Sequence, residues 1–229
     1  MNAEEPSLLK HISQLRGATG IAEGGLSSVI FCGKMGSEAD TEGVLSMHRT
    51  VVEHEVNSED SNVTGLLMGQ GTSVMHFIEG PSYAILRIVS KLAEHEQFVE
   101  SSQSTIRQSG RIVYCVEDRP SRFFPEWYSC VMPEKKGALA EDLNAESCKD
   151  TVSELSSSLS EMGQRLTGEK GPVEMSTYAE LLPSKSLLLA LAGCELFFTV
   201  DDYVALLGDS YHTSLESEYA WPLTRLVNY

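Results

Sequence analysis

Val63-Thr-Gly-Leu-Leu-Met-Gly-Gln-Gly-Thr-Ser-Val-Met-His-Phe-Ile-Glu-Gly-Pro81 is the stretch that decides the fold. Val63 to Met68 and Ser73 to Ile78 are β-prone runs on either side of Gly69-Gln-Gly71, and glycine supplies the positive φ that a tight hairpin needs. Two antiparallel strands follow. Pro81 then suits the first turn of a helix, where its missing N–H has no partner to lose, and Ile85, Ile88, Val89 and Leu92 give that helix a buried stripe ending before Gln97.

Towards the N-terminus, Ser28 to Cys32, bounded by Gly25 and Gly33, reads as a first strand. From an N-cap at Asp40 or Thr41, the residues Val44, Leu45, Met47, Val51 and Val52 fall on one face of a helix ending near His54. Towards the C-terminus, Arg111 to Glu117 and Tyr128 to Met132 read as strands around the turn Arg122-Phe-Phe-Pro-Glu-Trp127. The order βαββαββ predicts an α+β fold, a ferredoxin-like sandwich over residues 26–132. Before it, residues 1–25 read as a lead-in with a short docking helix at 7–16.

Residues 133–150 read as a polar linker and 151–229 as a helical C-terminal extension. Thr151-x-x-Glu154 has the form of a capping box, and Val152, Leu155, Leu159, Met162 and Leu166 step by three and four. Two heptads alone are marginal as a coiled coil, so this seam is expected on the preceding sheet. Leu187 to Phe198 is apolar almost all round, which predicts a covered helix, and Thr199-x-x-Asp202 with Gly208 brackets a last short one. Trp221-Pro222 marks an extended tail.

Across 229 residues, 41% are hydrophobic and 22% charged, the balance of a globular chain with a core. A formal net charge of -16, from 33 acidic and 17 basic residues, repels phosphate backbones and anionic headgroups. Nucleic acid and membrane surfaces are thus not expected partners, whereas a basic protein surface or a crowded assembly is. Five cysteines with no CxxC predict buried thiols in a reducing compartment rather than a disulfide framework or zinc site. The opening residues lack a signal-peptide pattern, and the apolar run Leu187 to Cys194 is too short to span a bilayer, so a cytoplasmic location is expected.

Six histidines (His11, His48, His54, His76, His95, His212) are scattered with no metal-ligand spacing. Gly69-Gln-Gly71 lacks the third glycine of a dinucleotide loop and joins strands instead of opening a helix. No phosphate cradle, GxSxG elbow or Cys and His signature is present, so no enzymatic centre is expected. One residue is unusual. Alternation puts His76 on the strand face of Val74 and Ile78, either as a ligand-contacting or proton-handling group or as a core histidine bonded to backbone or a nearby polar group.

Val63-Thr-Gly-Leu-Leu67, the glycine turn, Phe77-Ile-Glu-Gly-Pro81 and Arg122-Phe-Phe-Pro-Glu-Trp127 resemble the consensus of BLUF domains, flavin-binding blue-light sensors, in the same order over residues 26–132. The resemblance implies a sandwich with flavin between its two helices. Carried over position by position, the photoactive tyrosine of the first strand is Phe31, the glutamine of the third is His76, and the flavin-contacting asparagine falls at Asn57 or Ser58. Trp127 keeps its place, the position two residues on is Ser129, and a basic pair near the end of the second helix is replaced by Glu96-Gln97. Phe31 has no hydroxyl to pass an electron and a proton to flavin, so the light reaction is expected to be absent. The expected cofactor is none, with FAD as the alternative in a sensor that uses His76 as its polar contact.

The chain as a whole, through Leu181-Leu-Pro183, Phe198-Thr-Val-Asp-Asp202 and Trp221-Pro222, is similar in plan to the testis-expressed protein 47 family of BLUF-like animal proteins. That similarity implies a non-enzymatic role among other proteins of a sperm-flagellar or ciliary axoneme.

Overall fold

A computed structural model describes residues 25–35, 39–56, 62–97, 110–135, 143–169, 171 and 173–208. The elements β1 (Leu26–Lys34), α1 (Ala39–Val56), β2 (Thr64–Gln70), β3 (Ser73–Pro81), α2 (Ser82–Gln97), β4 (Arg111–Arg119) and β5 (Trp127–Val131) follow in the expected order. Beyond them come α3 (Ala145–Thr167), a 3₁₀ turn (Met175–Tyr178), α4 (Lys185–Gly193), β6 (Phe198–Thr199) and α5 (Val200–Gly208). The sheet runs β5-β2-β3-β1-β4-β6. β3 lies antiparallel between β1 and β2, and β4 pairs antiparallel with the other side of β1, which is the ferredoxin-like arrangement. β5 is added parallel to β2, and β6 antiparallel to β4.

Side chains alternate across the sheet, as the pleat requires. Val29 and Phe31 face a core shared with α1, α2 and α5, while Ile30 and Cys32 face a second core shared with α3, the 3₁₀ turn and α4. Every residue of β2 and β3 is buried, because helices cover both faces. That burial explains the nearly continuous apolar runs in these strands, which lack the polar alternation of a sheet with one wet face. The α3 seam docks on the sheet as expected: Leu155, Leu159, Met162 and Leu166 are buried in the second core with Leu66, Met75 and Phe77.

Several boundaries differ from the sequence reading. The hairpin turn is Gly71-Thr72, with Gly71 at φ +56°, and Gly69 and Gln70 remain in β2. α3 starts inside the stretch read as linker. Asn144 is its N-cap, its side chain accepting from the Glu146 and Ser147 N–H groups while Ser147 Oγ accepts from the Asn144 N–H. Thr151 and Glu154 therefore lie in the helix body. The apolar run from Leu187 stays helical only to Gly193, after which Leu196 and Phe198 are 61% and 54% exposed. The Thr199 and Asp202 cap of α5 forms as read: Thr199 Oγ1 accepts from Asp202 N at 3.0 Å and Asp202 Oδ2 from Thr199 N at 3.1 Å. The helix read at 7–16 and the Trp221 tail lie outside the described residues.

One buried carboxylate ties the sheet to the turn before β5. Glu79, at the end of β3, is fully buried. Its Oε1 accepts from Arg119 Nη1 at 3.1 Å and Phe123 N at 2.9 Å, and its Oε2 accepts from Phe124 N at 2.9 Å. Arg122 Nη1 donates to the Glu79 carbonyl at 3.2 Å and to Thr64 Oγ1 at 3.0 Å. The Arg119 guanidinium also lies 3.5 Å from the Phe123 ring centroid, a cation–π contact. Burial pushes the carboxyl pKa up, opposed by the Phe123 and Phe124 N–H groups and by both arginines. Phe124, fully buried, then packs on Phe77, with ring centroids 5.5 Å apart.

α3 rests on the same turn. At Gly163 the helix passes so close to Phe123 that a Cβ would collide with the Phe123 carbonyl oxygen.

Three substitutions test this packing. Glu79→Ala strands the buried Phe124 N–H, the part-buried Phe123 N–H and a guanidinium, and urea unfolding should show a loss of about 3–5 kcal/mol. Glu126→Ala, an exposed carboxylate in the same loop, should change stability by less than about 0.5 kcal/mol. Gly163→Ala should cost about 1–3 kcal/mol in the same assay, because backbone must move to admit the methyl.

Candidate functional site

Phe31, His76, Leu67 and Ser129 are paired in register across β1, β3, β2 and β5. His76 lies on the side of this row that faces α1, fully buried. Above it on α1, His48 shares the buried stripe of Leu45 and Val52 and is fully buried too. The two imidazoles meet Nδ1 to Nδ1 at 3.1 Å, with ring centroids 5.3 Å apart. On the far side of His76, Trp127 Nε1 donates to His76 Nε2 at 3.4 Å. The next residue on α1, Arg49, donates from Nη2 to Ser129 Oγ at 3.1 Å, so consecutive side chains pin α1 to the sheet.

Proton placement follows from the donors. Indole N–H can only donate, so His76 Nε2 is the acceptor and its proton sits on Nδ1. His76 Nδ1 therefore donates to His48 Nδ1, which leaves the His48 proton on Nε2. That nitrogen is buried without a hydrogen-bond partner among the described residues. Among the described residues, neither ring has a carboxylate to support a positive charge. Burial lowers the His48 pKa to about 4, and burial together with repulsion from His48 lowers His76 well below the ordinary value of 6.5.

His76 is thus a core histidine, bonded among the described residues to the side chains of His48 and Trp127. Of the other positions carried over from the BLUF resemblance, Phe31 lies on β1 with its ring centroid 5.6 Å from that of His48. Trp127 contacts His76, whereas Asn57 and Ser58 lie outside the described residues. The sequence reading missed His48 as a site residue, although its spacing of three from Leu45 and four from Val52 puts it in the apolar stripe of α1.

The cavity beneath α2, lined by Phe31, His48, Ile78, Val89, Leu92 and their neighbours, has a volume of about 10 Å³. That is one water molecule's worth, against the hundreds of cubic ångströms of a ligand pocket. Val200 of α5 closes one side of it, and Tyr203 of the same helix joins the same core.

The buried pair makes stability depend on pH. Above about 6.5 both folded and unfolded chains hold neutral imidazoles, so the pair adds no slope. Between about 6.5 and 4 the unfolded chain takes up protons that the folded chain refuses, and stability falls as pH falls. His48 alone should contribute roughly 3 kcal/mol of loss over that window. Urea titrations at successive pH values should show a flatter decline in His48→Leu than in the native sequence; identical slopes would refute the assignment.

Comparison with solved structures finds a bacterial light-regulated adenylyl cyclase, 14% identical, over 62% of this chain and 36% of that one, with a TM-score of 0.34. The Klebsiella pneumoniae protein BlrP1, in its calcium and cy-diGMP complex, is 14% identical over 61% of this chain and 35% of its own, also with a TM-score of 0.34. The chain thus spans about a third of the length of both proteins. At family level, the testis-expressed protein 47 family matches residues 26–207, well over half of the sequence. The chain belongs to the testis-expressed protein 47 family.

Proposed function

We propose that this protein is a non-catalytic interaction module, a BLUF-like sandwich whose ligand space is filled by its own side chains and which docks with other proteins of a ciliary or sperm-flagellar axonemal assembly. The observation that supports this reading is the small cavity of about 10 Å³ beside His48, lined by Phe31, Ile78 and Val200. Phe31 stands where a redox-active hydroxyl would be needed, and His76 is held on both ring nitrogens by His48 and Trp127. The Glu79 cluster holds the turn before β5 to the sheet, so the scaffold itself is well bonded. Membership of a testis-expressed family supports a sperm setting, and a net charge of -16 favours docking onto basic protein surfaces.

Two measurements test the two halves of the proposal. The purified full chain, incubated with FAD and then desalted, should retain no flavin absorption; a bound yellow chromophore would establish the alternative, a flavin-binding sensor. In detergent-extracted flagella the protein should stay with the axonemal fraction and be released by salt. Complete release as a free monomer before salt is added would count against docking.

A further inference from the structure

The Sγ atoms of Cys148 and Cys194 stand 3.4 Å apart although the residues are 46 positions apart in sequence. Cys148 is buried in the opening turns of α3, and Cys194, half-buried, is the C-cap of α4. Both backbones are held in place. Cys148 N donates to Asn144 O at 2.8 Å within the capped first turn of α3. The Cys194 carbonyl accepts from Arg111 Nε of β4 at 3.3 Å and from Phe197 N at 3.4 Å, and Cys194 N closes α4 onto Leu191 O at 3.3 Å. The two sulfurs are therefore in van der Waals contact between anchored chain segments, needing only a short approach to bond.

We infer that Cys148 and Cys194 form a reversible disulfide site, closed by a peroxide-class oxidant, that staples the start of α3 to the end of α4. Cys194, the more exposed sulfur, meets the oxidant first. Its thiolate attacks the peroxide, the O–O bond breaks, and Cys194 becomes a sulfenic acid as hydroxide leaves and takes up a proton. Cys148 sulfur then displaces the sulfenic hydroxyl, losing its own proton to it as water. In total two S–H bonds are lost, one S–S bond forms, and one hydrogen peroxide is reduced to two waters. Burial pushes the Cys148 thiol up to about 11. The closing step is therefore slow at neutral pH, and the site responds to sustained oxidation and stays open in a reducing compartment.

Closure joins the two helical elements that cover the second face of the sheet. It removes entropy from the unfolded chain without asking α3 or α4 to move away from the core.

Peptide mapping tests the inference on the full chain. After hydrogen peroxide and alkylation under denaturing conditions, digestion should yield a peptide linking Cys148 to Cys194, lighter by two hydrogens and separated by dithiothreitol. The melting temperature of the oxidised chain should rise by about 5–10 °C and return on reduction. Cys148→Ser and Cys194→Ser should each abolish the linked peptide and the shift. Should either variant fail to fold, the map of the native sequence decides alone. Separate alkylation of Cys148 and Cys194 at a peroxide dose that oxidises the exposed Cys115 would overturn the proposal, as would a linkage of either one to another cysteine.

Discussion

The fully buried Glu79 carboxylate accepts two adjacent backbone N–H groups and one guanidinium, and most of the molecule is arranged around that fact. It is the reason a polar turn can cross the end of a sheet whose neighbouring strands are wholly buried. Remove the acceptor, and donors are buried with nothing to receive them, which costs more than the bonds themselves are worth. Held by it, the turn delivers Phe124 into the second core and starts β5 at Trp127, beside β2. α3 then closes over the turn at Gly163. The carboxylate thus links the two layers on opposite faces of the sheet.

Trp127 carries that constraint to the other face. Its indole N–H fixes the tautomer of His76, and His76 in turn fixes that of His48. A histidine pair without a carboxylate is stable only while both rings are neutral, and burial keeps them so. The cost is visible in the unpaired His48 Nε2 beside a cavity of about 10 Å³. Val200 and Tyr203 add a further apolar wall from α5. The described side chains around that cavity are packed as a protein interior is packed.

The strands and the first two helices could be read from sequence because their cues are local. Gly25, Gly33 and Gly71 bound β-prone runs, and Ile85, Ile88 and Leu92 mark a stripe with no competing period. Strict alternation also put His76 on the correct face. The spacing of His48 from Leu45 and Val52 marks it as buried, but what makes it matter is its contact with His76, twenty-eight positions away, which that spacing does not reveal. The Arg122-Phe-Phe-Pro-Glu-Trp127 motif was visible, but the donors that bind Glu79 are backbone N–H groups of Phe123 and Phe124, which side-chain identity does not reveal. The start of α3 was misplaced for a related reason. Thr151 and Glu154 fit a capping box as well as Asn144 and Ser147 do, and only the burial of Cys148, one turn before Val152, extends the apolar stripe back to the true N-cap.

Nitrogen-15 NMR of the imidazole rings at pH 6 tests the account at its centre. A neutral His76 protonated on Nδ1 and a neutral His48 protonated on Nε2, each as a single slowly exchanging tautomer, is the predicted spectrum. Averaged tautomers, or an imidazolium signal from either ring at that pH, would mean that the space between the helices is open to water and that this description of it is wrong.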